Sequence, residues 1–197
     1  MVIRKDEFCL REVTISDFND IHEYSKDIEN LRYTLWGPNS EDETRGFIDY
    51  TINMSKENPR VKYEFAIEIK TDYGYKVIGG CGIFITENPL IGEVGWIINK
   101  RYWNRGYGTE VGKALLEFGF EKLNLEKIFA TCDSRNIGSY RIMEKCNMKK
   151  ESLKSCSSIL KSTDKTESAN FSYNSLATFS ISAKEEIFTI SISFPQG

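Results

Sequence analysis

The sequence predicts one α/β domain, of the α+β type, built on a mixed central sheet. Three observations carry this. From Tyr63 to Ile98 three β-like runs follow one another through tight turns, the pattern of an antiparallel meander. Glu93 to Cys132 then reads strand–turn–helix–strand, long enough for a crossover that leaves its two strands parallel. Finally, 197 residues with 40% apolar and 28% charged content suit a single globular domain, with room for an appendage.

The elements follow in order. Phe8 to Val13 alternates and is a plausible first strand. Ser16 can cap a helix over Asp17 to Glu29, with Phe18, Ile21, Tyr24 and Ile28 on one face. Trp36-Gly-Pro-Asn-Ser is a turn, and Ser40 and Glu43 have capping-box spacing for a second helix to Met54. Tyr63 to Ile69 sets Tyr, Phe, Ile and Ile against Glu, Ala and Glu, a strand period. Asp72-Tyr-Gly-Tyr closes a hairpin into Val77 to Ile85, and Asn88-Pro-Leu-Ile-Gly turns into a strand over Glu93 to Ile98. Thr109 to Leu123 has helical spacing through Val111, Leu115, Phe118 and Leu123. Lys127 to Cys132 is a strand, and Ser139 to Cys146 a short helix whose left-handed cap suits Asn147.

Composition changes at residue 152. Twelve serines lie in 152–197 against six in 1–151, no arginine follows Arg141, and Gly197 is the only glycine after Gly138. The expected division is therefore a domain over 1–151 and an atypical Ser-rich segment over 152–197. Within that segment Ser152 to Asn170 reads as a polar loop, while Phe171 to Ser182 and Ile187 to Phe194 alternate weakly like strands. Two origins fit: a divergent strand pair, or residues from a shifted reading frame.

Several functions are excluded. A net charge of −3 lacks the basic excess of a nucleic-acid partner. No run approaches the length of a transmembrane helix, and the charged start Met1-Val-Ile-Arg-Lys-Asp-Glu lacks the apolar core of a signal peptide. Cysteines 9, 81, 132, 146 and 156 are odd in number and unclustered, which predicts reduced, mostly buried thiols in a cytoplasmic protein. With His22 as the only histidine and no CxxC, no metal site of ordinary zinc type is expected, nor a His-dependent hydrolase. His22 itself reads as a surface or partly buried side chain.

The strongest local signal is Tyr102-Trp-Asn-Arg-Gly-Tyr-Gly-Thr-Glu, placed between a strand and a helix. Gly106 and Gly108 let the backbone turn tightly and approach a ligand, and amides at a helix N-terminus favour an anion such as pyrophosphate. The Walker ending is missing, and GxGxxG fails because the third position after Gly108 is Val111. A plain strand-to-helix turn would show the same local pattern.

A second segment, Asp133-Ser-Arg-Asn-Ile-Gly-Ser-Tyr-Arg-Ile-Met-Glu-Lys-Cys-Asn-Met, makes the pattern specific. Together with Arg105-Gly-Tyr-Gly-Thr-Glu in that order, it resembles the GCN5-related N-acetyltransferase (GNAT) superfamily, in its RimJ/RimL-like branch. Glu93-Val-Gly-Trp-Ile-Ile resembles the fourth strand of that family, and Arg11, Thr14 and Asp17 resemble the branch's opening motif. The resemblance covers residues 8–151. Trp103 stands where many members have Gln or Arg, and Asn147 where glycine is usual. The family's last two strands are not recognisable after 151.

The resemblance implies the acyl-CoA N-acyltransferase fold, with the fourth and fifth strands splayed around acetyl-CoA. The cosubstrate's acetyl group passes by direct attack to a primary amine, on a protein N-terminus or a small molecule. It implies a monomer or homodimer. Amides of Arg105, Gly106, Tyr107, Gly108 and Thr109 would hold the pyrophosphate. Backbone groups of Ile97, Ile98 and Asn99 would pair with the pantetheine arm, an N–H near Ile97 serving as oxyanion donor. Asn136 would bond the arm or steer the thiol. The superfamily's usual acid position is Met143, which has no proton to give. Ser139 then becomes the thiolate's proton donor or sulfur ligand, or else only a helix cap, with Tyr140 as reserve acid. Glu93 is the candidate base through water, or otherwise a sheet-face carboxylate. Cys132 can line the thiol end or pack in the core, and Trp36 and Trp103 can flank the acceptor groove or pack at its rim. A non-catalytic acyl-CoA-binding module with a degraded acceptor site is the rival reading.

Overall fold

The structure, a computed structural model, describes residues 1–155 and 186–193. Its strands are β1 (Val2–Arg4), β2 (Cys9–Arg11), β3 (Lys62–Thr71), β4 (Gly74–Ile85), β5 (Ile91–Ile98), β6 (Lys127–Asp133), β7 (Lys149–Ser155) and β8 (Glu186–Ser193). Its helices are α1 (Phe18–Ser25), α2 (Glu41–Met54), α3 (Tyr107–Glu121) and α4 (Ile137–Lys145). None of the described helices is long and apolar enough to cross a membrane.

All eight strands form one sheet in the order β1-β2-β3-β4-β5-β6-β8-β7. β1 to β5 make an antiparallel meander, and β5 and β6 are parallel. The expected fourth and fifth strands are thus β5 and β6. The shift in number comes from β1, a three-residue strand too short to carry a periodic signal.

Two cores clamp the sheet. On one face α3 lays Val111, Leu115 and Phe118 over Leu10, Phe65, Ile67, Ile83 and Ile128. Fully burying each large aliphatic side chain there contributes about 2–3 kcal/mol. On the other face α1 and α2 bring Ile21, Tyr24 and Ile48 onto Ala66 and Val77.

Local chemistry sets the helix ends. The α2 capping box forms as expected: Ser40 Oγ accepts from Glu43 N at 3.2 Å, and Ser40 N donates to Glu43 Oε2 at 2.7 Å. The first helix differs from the expectation. Thr14, not Ser16, begins it: its N–H donates to Asp17 Oδ2 at 2.8 Å, and a 3-10 turn over Ile15–Asp17 leads into α1. α1 stops at Ser25, whose carbonyl accepts from Asn39 N at 2.8 Å, and Ile28 is left exposed. The Arg11 guanidinium forks onto both Asp17 oxygens at 2.8 Å, which accounts for the Arg11…Asp17 pairing in the opening motif. His22 is partly buried, with Nδ1 2.9 Å from Thr44 Oγ1.

The end of the chain contributes to the sheet. β8 pairs with β6 from Lys127↔Ser193 to Asp133↔Ile187, and β7 pairs with the far edge of β8. The alternation of Ile187 to Phe194 is therefore strand, while its sheet neighbour begins at Lys149. Residues 152–155, expected to open a polar loop, lie in that strand. Lys-Lys-Glu-Ser-Leu-Lys-Ser has no β-branched residue, so pairing rather than propensity makes it extended. Residues 156–170 and the run Phe171 to Ser182 lie outside the described residues.

Candidate active site

The sheet opens where β5 meets β6. Their ladder holds only Ile91↔Lys127, Gly92↔Ile128 and Glu93↔Phe129, yet β5 runs on to Ile98 and β6 to Asp133. Beyond Glu93 the strands part, and a V-shaped cleft lies between them.

The β4 ladder decides which β5 groups face this cleft. Thr86 N donates to Ile91 O at 2.9 Å, and Asn99 N donates to Ile78 O at 2.7 Å. The intervening register is unbroken, so odd-numbered residues of β5 direct their backbone groups to β4. Even-numbered ones direct theirs away, toward the departing β6. Ile98 therefore presents its N–H to the cleft, as does Trp96, whereas Ile97 and Asn99 face β4. The sequence reading of Ile97 and Asn99 as backbone partners of the cofactor arm shifts by one residue, because strand period alone does not say which neighbour an amide faces. The Ile98 carbonyl accepts from the Trp103 indole Nε1 at 2.7 Å. Asn99 is buried, its Oδ1 accepting from Arg101 N at 3.1 Å and its Nδ2 donating to Glu23 at 3.1 Å.

The glycine loop closes one end. Gly106 has φ 90°, a left-handed conformation that starts α3 two residues before Thr109. Thr109 N and Glu110 N both return to Gly106 O, at 3.0 and 3.2 Å. The amides of Arg105, Gly106, Tyr107 and Gly108 take no backbone partner among the described residues. They form an N-terminal cluster suited to a phosphate. Arg105 lies with its guanidinium 5.2 Å from the Tyr102 ring centre. Gly108 serves packing: a Cβ there would meet Ile142 Cδ1 of α4 at 2.5 Å.

α4 borders the other side. Asp133 Oδ1 accepts from Arg135 N at 2.8 Å, turning the chain out of β6. Asn136 caps α4, its Oδ1 accepting from Ser139 N at 3.0 Å. The Ser139 hydroxyl is half-buried and has no hydrogen-bond partner among the described residues. Tyr140 is bonded to Glu144, whose charge one turn on raises its pKa. Glu93 sits where the strands part. Burial raises its pKa, and a hydrogen bond from Thr131 Oγ1 at 2.9 Å partly opposes this. Burial pushes the Cys132 thiol up to about 11, so it is neutral at physiological pH. Cys9, Cys81, Cys132 and Cys146 are free thiols.

These parts fit an acyl-CoA: phosphate-seeking amides, an open strand edge the length of a pantetheine arm, and an uncommitted hydroxyl beyond it. Comparison with known proteins agrees. The acetyltransferase (GNAT) domain family matches residues 7–149, so the chain belongs to the GNAT acetyltransferases. It is an acetyl-CoA-dependent N-acyltransferase. An uncharacterized N-acetyltransferase of Bacillus subtilis, YnaD, is 31% identical over 151 residues, covering 77% of this chain and 84% of the relative. A GNAT-family acetyltransferase structure from Bacillus anthracis superposes with a TM-score of 0.75 at 25% identity, covering 98% of both chains. A RimL ribosomal-protein acetyltransferase in complex with coenzyme A shares the fold, with a TM-score of 0.73 at 12% identity over 98% of both chains.

Proposed function

We propose that the protein transfers acetyl directly from acetyl-CoA to a primary amine in the V-shaped cleft, with Ser139 as proton donor to the leaving thiolate and Glu93 as base. The observation that carries this reading is the end of the β5–β6 ladder at Glu93, which leaves the β5 edge open between the two helix starts. The amides of Arg105 to Gly108 hold the pyrophosphate. Trp96 and Ile98 offer N–H groups along the pantetheine arm, and one of them faces the developing oxyanion. Asn136, with its oxygen committed to capping, keeps its amide N–H₂ for the arm.

Burial raises the pKa of Glu93 above the ordinary carboxylate value, which makes it a stronger proton acceptor than a surface glutamate. Ser139 donates as the tetrahedral intermediate collapses. Tyr140 is the poorer acid, because Glu144 engages its phenol and raises its pKa. We take the domain to extend past residue 151, because β8 pairs with the outer edge of β6 and β7 with β8.

Thiol release from acetyl-CoA over a panel of amines tests the reading. Ser139→Ala should lower kcat about 100-fold while leaving coenzyme A affinity intact. Glu93→Gln should remove the acidic limb of the rate profile, because the base must be ionised and activity rises through its pKa. A Ser139→Ala loss below threefold would remove Ser139 from the chemistry and leave it an ordinary residue of the first turn of α4.

A further inference from the structure

Glu64 is a buried acid with no structural partner. It lies on β3, is 8% exposed and accepts no hydrogen bond among the described residues. The other deeply buried carboxylate, Asp17, is clasped by Arg11. An unpaired buried carboxyl opposes folding, so its retention calls for a reason.

Its position supplies one. Glu64 is on the α1/α2 face, two residues from Ala66, and its carboxyl lies over Gly82 of β4. A Cβ at Gly82 would stand 3.0 Å from Glu64 Oε2 and 2.8 Å from the Tyr63 carbonyl, so only glycine admits this pose. Gly82 pairs with Gly95 of β5, one step from the cleft. From Glu64 to the parting strands this row thus carries no β4 or β5 side chain.

One further polar tip stands above that row, and another is buried in the same cluster. The Tyr24 hydroxyl of α1 would be 3.4 Å from a Cβ at Gly80, and it has no hydrogen-bond partner among the described residues. The Trp36 indole N–H is buried and likewise unpartnered. Trp36, Tyr24 and Ile97 belong to one packed cluster. α3 and α4 occupy the opposite face, where the cosubstrate's phosphates bind. The acceptor must therefore enter over the glycine row.

We propose that Glu64 is the recognition carboxylate of the acceptor site, and that the acceptor is an amine carrying a second cationic centre. That second centre sits over Gly82 against Glu64, while the reacting nitrogen reaches the cleft beside Glu93. The proposal rests on the acetyl-transfer reading above. Strand spacing of about 4.8 Å sets the two nitrogens roughly 7–10 Å apart. The Lys62 ammonium, which donates to the Tyr50 hydroxyl at 2.8 Å, offsets the burial of Glu64 only in part.

The groups that feel the charge of Glu64 are Lys62 on its own strand, the Tyr24 phenol from α1 and, behind the sheet on the α3 face, the Cys81 thiol of β4. Burial raises the pKa of both the phenol and the thiol, so they stay neutral from pH 6 to 9. Glu64 is the group that changes charge there, burial pushing it up to about 8.

Calorimetric titration of the coenzyme A-bound protein with α,ω-diamines of graded length tests this, with monoamines of equal length as controls. Diamines of the stated span should bind best, and their binding should tighten as pH rises from 6 to 9. Glu64→Gln at pH 8.5 should weaken the diamine at least about tenfold and leave the monoamine and coenzyme A unchanged. A peptide with lysine next to its free amino terminus, run in parallel, decides whether the second cation belongs to a small diamine or to a polypeptide. No effect of Glu64→Gln, an equal effect on mono- and diamines, or pH-independent diamine binding in the wild type would overturn the assignment. Thiol release is read separately: Glu64-dependent binding without turnover would sink the transfer reading and leave the site standing.

Discussion

Replacing Glu64 by glutamine should stabilise the protein, and by more as pH rises. Burial pushes the carboxyl up to about 8 in the fold, against an ordinary value of 4.5, with Lys62 only partly opposing. For an acid whose folded pKa is raised, the folded state prefers the protonated form. Its full stability is then present below the unfolded pKa and is lost as pH climbs toward the folded one. The loss amounts to roughly 3 kcal/mol at pH 7 and roughly 4 kcal/mol at pH 8, and approaches roughly 5 kcal/mol above that. Either is a large fraction of a typical domain stability of about 5–15 kcal/mol. Glutamine keeps the shape and drops the titration. Urea unfolding of both proteins at pH 5, 6, 7 and 8 reads the difference directly. The curves should nearly coincide at pH 5 and separate progressively to pH 8. A constant difference across that range would mean that Glu64 is ionised and solvated throughout, and the account of it as an unpaired buried acid would fail.

Three other perturbations probe the frame of the site. Gly106→Val meets no neighbouring atom but must hold φ 90°, so it should cost about 1–2 kcal/mol in thermal unfolding and abolish stabilisation by coenzyme A. Arg11→Met should cost about 3 kcal/mol in urea unfolding, because it strands the buried Asp17 carboxylate. Burial pushes Asp17 up, yet hydrogen bonds from Arg11 and Thr14 outweigh it and hold the pKa below the ordinary value of 3.8. The wild-type pair therefore stabilises above that value and is lost as pH falls, a dependence the variant should lack. Ending the chain at Ser155 removes β8 and bares the β6 edge from Lys127 to Asp133. Size-exclusion chromatography should then show aggregation, and a stable monomeric fragment would refute a structural role for the tail.

The turns that frame the cleft were legible because their signals are local. The tight turn at Gly106 and the strand–helix junction at Tyr102–Thr109 each depend on residues within one turn of one another. The Ser40–Glu43 box is of the same kind, whereas the cap of the short helix falls on Asn136 and not on Ser139. Where reading went astray, a distant partner had intervened. Asn39 ends α1 by taking the Ser25 carbonyl, and no periodicity near Ser25 could announce that. β7 is extended because β8 lies beside it, though thirty residues separate the two in sequence.

The sequence by itself determined the order of strands and helices, the crossover that makes β5 and β6 parallel, and the glycine loop with its family. All of these follow from periodicity, turn chemistry and short motifs. Only the tertiary structure decided which β5 amides open to the cleft, since that depends on the register with β4. Only it revealed Glu64 as a buried acid. In the strand alternation Glu64 belongs to the polar set, which by pattern alone faces water. The packing of α1 and α2 over that face, with the Tyr24 hydroxyl above Gly80, converts a surface glutamate into a buried one whose charge Lys62 offsets only in part. Burial and pairing are properties of elements brought together, and a one-dimensional pattern does not contain them.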